Sequence, residues 1–339
     1  MTRPTTLALL ALGAALHACD LHETTSPPPP AQAAGAAGAA GADAGPPEGL
    51  CGPIHATPEE LTLTGTIAAI AVDNDFFYWA DEGGISSINK ETREAKVIVE
   101  VKNYQSISAF QILNEGVIFI DQGQLLQQDG LKPGLQMKLL PEWSTVEFFY
   151  TKTALDLFWV GVGGIHNYEN VAVKKHDEPK ETSLIELPGT VEHMLVTGKY
   201  VYFSYRDYKK SSLVRVAQGD GSVETIFDGD VLATATDGER IYWTTDQGQL
   251  WGVARSGGAP GQLAKNLGRA TSLVAAGGCL YTANEQGISR VPRGGGEPAQ
   301  VVTFGAVSSF NAPPIAVDSG HLYWPDHQQP RLMRLPVNP

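Results

Sequence analysis

From residue 59 onward the chain repeats one pattern of apolar and polar positions. A β-prone run ends in an aromatic pair, and acidic, amide and glycine residues follow at once. The phrase reads FFYWADEGG (76–84), VIFIDQGQ (117–124), DLFWVGVGG (156–164), VYFSYRD (201–207), IYWTTDQGQ (241–249), LYTANEQG (280–287) and LYWPDHQQ (322–329). Its second aromatic position is held by Trp79, Phe119, Trp159, Phe203, Trp243, Thr282 and Trp324, at spacings of 40, 40, 44, 40, 39 and 42 residues. Self-similarity at this period predicts an all-β propeller with one four-stranded blade per repeat.

The other strands of each blade are legible around the phrase. Before it runs a segment of small apolar residues: IAAIAVD (67–73), LATATDG (232–238), SLVAAGG (272–278) and PIAVDSG (314–320). Small side chains suit the innermost strand, where blades crowd the central channel. A third strand follows the phrase, as in ISSIN (85–89), LVRVA (213–217) and LWGVA (250–254), and a fourth in KVIVEV (96–101), ETIFDG (224–229) and AQVVTF (299–304). Period-2 alternation and Gly/Asp/Asn punctuation mark these as strands joined by tight turns, with no long amphipathic helix among them. The last repeat lacks a fourth strand, and the first is preceded by a spare one, ELTLT (60–64). The expectation is a seven-bladed propeller over 59–339 in which the N-terminal strand completes the last blade and removes two open sheet edges. Six blades is the alternative if the third repeat is irregular.

Three repeats carry a sharper phrase: Tyr78-Trp79-Ala80-Asp81, Tyr242-Trp243-Thr244-Thr245-Asp246 and Tyr323-Trp324-Pro325-Asp326. They resemble the YWTD repeat of low-density lipoprotein receptor propellers and, more loosely, the bacterial TolB-type propellers. The receptor family has six blades. The resemblance implies a structural role for the phrase, with aromatics filling the space between blades and the Asp tying neighbouring strands.

The N-terminus has a different composition. Residues 7–16, LALLALGAAL, follow Arg3 and are too short to span a bilayer as a helix, but they suit the apolar region of a signal peptide over 1–18. Leu16, Ala18 and Cys19 resemble the bacterial lipobox, from which His17 departs. The resemblance implies that Cys19 becomes the lipid-bearing first residue of the mature chain, the alternative being an ordinary signal peptide cut after Ala18. Residues 24–49 are almost only Ala, Gly and Pro and offer nothing large and apolar to offset the entropy of ordering, so 19–58 reads as a disordered tether. The implied location is the bacterial cell envelope, on the outer membrane rather than the inner, with the lipid as the membrane contact.

Charge and cysteines narrow the chemistry. A formal net charge of −13 excludes nucleic acid as a partner. Besides Cys19 only Cys51 and Cys279 remain, too few and too scattered for a zinc site. In an exported protein they can pair. Cys279 opens the second strand of the sixth repeat, on the face bearing the turns from first to second strands. The spare N-terminal strand starts from that same face, and ten extended residues span about 33 Å, so a Cys51–Cys279 bond is expected. The alternative is two unrelated thiols.

The opposite face bears the turns between second and third strands. There the sequence places Asp81, Asp121, Asp246, Glu285 and Asp326, with Tyr168 in the long third-repeat loop and Tyr205 and Tyr208 in YRDYKK (205–210). An acidic rim with aromatics suits a protein, a peptide or a polar or basic ligand, although acids in turns also serve to bind backbone N–H groups. No nucleophile elbow, HExxH, phosphate loop or dinucleotide fingerprint occurs. The reading is a non-enzymatic binding lipoprotein without cofactor. The alternatives are a Ca-dependent propeller hydrolase or lactonase caged by Asp81, Asp121, Asp246 and Asp326, and a subunit of an outer-membrane assembly complex.

Overall fold

The computed structural model describes residues 51, 54, 56–63, 67–101, 107–113, 116–122, 124–138, 145–153, 156–162, 169–175, 182–187, 189–197, 199–206, 210–305, 312–318, 320–326, 329 and 331–337. The expected signal peptide, Cys19, Tyr168 and Tyr208 lie outside them. The described strands form seven four-stranded antiparallel sheets, numbered here as blades 1 to 7 from residue 69 onward. Their inner strands are Ala69–Val72, Ile107–Leu113, Thr145–Thr153, Thr190–Thr197, Val231–Thr236, Ser272–Ala276 and Ala316–Val317. Each inner strand lies against that of the next blade, and the inner strand of blade 7 lies against that of blade 1. The chain is a closed β-propeller.

The second strands explain the aromatic phrase. In blade 1, Phe77, Tyr78, Trp79 and Ala80 are all buried, as are Ile241, Tyr242, Trp243 and Thr244 in blade 5. A strand sandwiched between two blades is covered on both faces, so its sequence is a continuous apolar run rather than an alternation. Side chains on opposite faces meet opposite neighbours. Phe77 stacks along its own strand on Trp79 and meets Tyr323 of blade 7 with ring centroids 5.3 Å apart. Trp243 meets Phe227 of blade 4 at 5.6 Å. The outer strands are covered on one side only; in Ala95–Glu100 only Ile98 and Val99 are buried.

Blade 7 draws its outer strand from the other end of the body. Glu59–Leu63 pairs antiparallel with Arg331–Pro336, Glu59 opposite Arg334 and Leu63 opposite Arg331. Arg334 reinforces the pairing with two hydrogen bonds to Glu59, at 3.0 and 2.8 Å.

Each blade has two ends. The upper face bears the turns from second to third strands and the connections from outer strand to the next inner strand. The lower face bears the turns from inner to second strands and from third to outer strands. On the lower face one device recurs in blades 1, 5 and 7. Asp73 Oδ1 accepts the backbone N–H groups of Asp75 and Phe76, and its Oδ2 accepts the Tyr78 hydroxyl at 2.7 Å. Asp237 does the same for Glu239, Arg240 and the Tyr242 hydroxyl at 2.6 Å, and Asp318 for Gly320, His321 and the Tyr323 hydroxyl at 2.8 Å. Burial together with the neighbouring carboxylate pushes all three tyrosines well above the ordinary phenol range.

At three seams the residue after the third strand of a blade docks on the corner of the preceding blade. Lys90 of blade 1 pairs with Asp318 of blade 7. Arg293 of blade 6 pairs with Asp237 and Glu239 of blade 5 and donates to the Tyr242 hydroxyl. The carbonyl of Arg255 in blade 5 accepts the Tyr202 hydroxyl of blade 4. Blade 6 has Gly277 and Gly278 at its corner instead of an aspartate, and there the contact is covalent. Cys279, at the start of its second strand, forms a disulfide with Cys51, which precedes the outer strand of blade 7.

Candidate functional site

The upper-face acids expected to converge do not form one cluster. Asp81 is spent within its own blade: Oδ2 accepts the Trp79 indole N–H at 2.9 Å and Oδ1 the Gly83 N–H at 2.8 Å. Asp326 accepts the Arg331 Nε–H at 2.8 Å across the same blade. Asp326 ties neighbouring strands as the resemblance to the YWTD phrase implies, whereas Asp81 holds only its own strand and turn. Glu285 is exposed in a turn whose backbone N–H groups are taken by Asn284 instead. Tyr205 is not in a loop but in the second strand of blade 4, Tyr200–Arg206, where it packs on the core of that blade with its ring 6.5 Å from Phe203. Among the described residues no three His, Cys, Asp or Glu side chains lie close enough to hold a metal ion, so the four-aspartate cage is not assembled.

Asp121 ends the second strand of blade 2 with Oδ1 buried and without a hydrogen-bond partner among the described residues. Burial raises its pKa. A carboxyl whose folded pKa lies above its unfolded value destabilises the fold wherever it is ionised, and the penalty disappears as pH falls through that raised pKa. Asp121→Asn is therefore expected to raise the denaturation midpoint at pH 7 and to leave it unchanged below pH ~3.5, beneath the ordinary carboxylate range. Matched urea melts at the two pH values check this, and an equal effect at both would refute it.

Asp246 is the candidate that does find company. It lies in the second-to-third turn of blade 5, beside the connection that leaves blade 4. Between them opens a cleft of about 560 Å³ lined by Lys210, Ser211, Phe227, Asp228, Asp230 and Asp246, with Gln247 and Gln249 at its edge. Phe227 supplies an apolar floor over Trp243. Gly229 separates the two connection aspartates with a backbone φ of +150°, and an added Cβ would lie 2.7 Å from the Phe227 ring. Glycine thus lets the connection turn sharply over that ring.

The charges of the cleft are interlocked. Asp228 accepts the Ser212 hydroxyl at 2.9 Å and Lys210 Nζ at 3.2 Å, and both lower its pKa. Arg206 joins Glu192 at 2.9 Å to Asp230 at 3.4 Å. Burial pulls the Arg206 pKa down, but Glu192, Asp230 and Asp246 outweigh it and the guanidinium stays charged. Among the described residues four carboxylates (Glu192, Asp228, Asp230 and Asp246) thus face two cations (Arg206 and Lys210), and Asp228 and Asp246 are the exposed carboxylates. The surplus negative charge suits a guanidinium or ammonium group arriving from solution.

Asp228 and Asp230 lie outside the second-to-third turns to which the sequence pattern points. Their signal is the Asp-Gly-Asp of the outer-to-inner connection, which crosses the same face as the next blade's turn. The lower-face clamps have a sequence signal of their own, an Asp-x-x-x-x-Tyr spacing at 73–78, 237–242 and 318–323.

No family profile matches the chain, and no curated protein matches it in sequence. Solved structures do resemble it. An oligogalacturonate lyase in complex with manganese superposes with a TM-score of 0.65 at 9% identity, over 84% of this chain and 94% of the other. The β-propeller domain of Cps50 (Swd1) from Myceliophteria thermophila gives 0.59 at 10% identity, over 83% and 100%. The Neurospora crassa Pan2 WD40 domain gives 0.59 at 10%, over 80% and 89%. What these proteins share with the chain is the β-propeller fold.

Proposed function

We propose that this chain is a binding module of the bacterial cell envelope, lipid-anchored through Cys19, whose propeller takes a cationic segment of a protein or peptide on its upper face. The observation that carries the reading is the cleft between blades 4 and 5, where carboxylates from two blades surround an apolar floor. A rigid ring with a polar cleft in its loops is a scaffold for recognition. The disulfide adds support: it holds residue 51, next to the tether, on the lower face, so a ligand on the upper face approaches from the side away from the anchor.

The test is a titration with peptides in which arginine is replaced position by position by its neutral isostere citrulline. Arginine peptides should bind with a salt-sensitive affinity, and citrulline should weaken binding. Asp246→Asn should weaken the arginine peptide by roughly tenfold, the scale of one charge-assisted contact, and leave any residual citrulline binding unchanged. Equal affinity for both peptide types, or no effect of Asp246→Asn, would defeat the reading.

A further inference from the structure

The strand that closes the ring is held in four ways. Its ladder with Arg331–Pro336 is only five residues long and is interrupted by a bulge between Glu60 and Thr62. Its ion pairs, Glu59 with Arg334 and Glu60 with Arg331, have glutamates that are 50% and 44% exposed, and ion pairs open to solvent contribute little. From the other side Arg93 of blade 1 reaches the Leu61 carbonyl at 3.4 Å. The fourth hold is the Cys51–Cys279 bond, which occupies the place where other blades carry a side-chain or backbone clamp. Around it Cys51 and Ile54 pack on the core shared by blades 6 and 7, and Arg290 Nη1 donates to the Cys51 carbonyl at 3.4 Å.

We propose that this disulfide is a redox latch on the seam of the ring, whose reduction frees the closing strand while the rest of the propeller stays folded. The physical reason is the number of anchors. With the bond intact, a strand that lifts off Arg331–Pro336 is still tied at residue 51 and at the inner strand of blade 1, so its ends stay close to their places and it returns at high effective concentration. With the bond broken, the strand is tied at one end and held by a short ladder, its ion pairs, the Arg93 hydrogen bond and one buried side chain, Leu61. Every other blade takes its four strands from one continuous segment, so loosening is confined to the seam.

The chemistry is available. Cys51 is partly exposed, whereas Cys279 is 4% exposed. A thiolate of a dithiol reductant attacks Cys51 Sγ, the Sγ–Sγ bond breaks, and Cys279 leaves as thiolate and takes a proton. The second thiol of the reductant then displaces Cys51 from the mixed disulfide. Two electrons pass to the protein, which ends with two thiols, and the reductant ends as its own disulfide.

The experiment is native-state hydrogen exchange on the full chain, oxidised and after dithiothreitol treatment without denaturant, read by mass spectrometry of peptides. Exchange in Glu59–Leu63, His321–Asp326 and Arg331–Pro336 should rise by about tenfold or more, with less than about a twofold change in the strands of blade 5. The Cys51→Ala/Cys279→Ala chain should reproduce the reduced pattern without reductant. A bond that resists dithiothreitol in the folded protein overturns the proposal. So does a rise spread evenly over all blades, or no change at the seam. If the double variant does not fold, the reduced wild-type chain decides the matter alone. The cleft between blades 4 and 5 plays no part in this test, so the two proposals stand or fall separately.

Discussion

Asp318→Ala is expected to lower stability by about 4 kcal/mol, because it removes from a buried site the one carboxylate that four donors share. The carboxylate receives the N–H groups of Gly320 and His321, the Tyr323 hydroxyl and the Lys90 ammonium. Its side chain and that of Lys90 are only 11% and 12% exposed, so neither partner finds water when the other is removed. The loss falls on the contact between the first and last blades, where the rings of Phe77 and Tyr323 also meet. Lys90→Met should cost less, about 3 kcal/mol, because Asp318 keeps its three other donors. Glu59→Gln, which removes an exposed partner of Arg334, should change stability by no more than about 1 kcal/mol. Urea denaturation of the three variants beside the wild type checks the order. If Asp318→Ala costs no more than Glu59→Gln, the clamp is not what holds the blades.

The same group makes a pH prediction. Burial alone would raise the Asp318 pKa, but Lys90, the Gly320 N–H and the Tyr323 hydroxyl outweigh it, and the net shift is downward. A depressed carboxyl contributes stability that is complete above its unfolded pKa and is lost as pH falls through its folded pKa. The gap between wild type and Asp318→Ala should therefore narrow in acid and hold constant from pH 5 to 7, above the ordinary carboxylate range of about 3.9.

The second large effect is expected at Gly84. This residue opens the third strand of blade 1 at a φ of +131°, and an added Cβ would sit 1.9 Å from the Val99 carbonyl oxygen. That oxygen belongs to the outer strand, so the two strands would have to separate. Backbone strain and forced displacement together should cost about 3 kcal/mol for Gly84→Ala. Gly287 is its counterpart in blade 6, where a Cβ would sit 2.0 Å from the Val302 carbonyl oxygen, and its alanine variant should lose a similar amount. Gly219, with nothing within 4 Å of an added Cβ, is the control and should tolerate alanine. Equal midpoints for Gly84→Ala and Gly219→Ala would show that the strand start is less constrained than its geometry indicates.

These glycines show how much of the fold could be read in advance. Several repeats punctuate their second-to-third turn with acid, amide and glycine, and at Gly84 and Gly287 the glycine is there because the outer strand approaches its Cα directly. The Tyr-Trp pairs were legible for a related reason: a strand covered by a blade on each side has no polar position, so its run of aromatics stands out. The spare strand at 60–64 was legible as an unpaired segment, and it pairs with Arg331–Pro336. The two body cysteines could be matched because strand direction alone puts both on the lower face. The role of each aspartate was not legible. Asp81 and Asp246 stand in the same phrase, yet Asp81 is consumed by Trp79 and Gly83 while Asp246 faces a cleft. Tyr205 reads as a loop residue, but the second strand runs one residue past it and lays its ring on the core.

What the sequence determined by itself is everything that depends on local pattern: an all-β chain, strands in fours at a period near forty residues, and a body that follows an Ala/Gly/Pro-rich stretch. These are properties of one segment and its burial, and periodicity reports burial directly. Only the tertiary structure decided which side chains meet across blades. Asp228 and Asp230 join Asp246, Lys90 crosses to Asp318, and Arg293 to Asp237, because neighbouring blades set side by side residues that lie 16 to 228 positions apart. No local pattern encodes such distances; they follow from the closure of the ring.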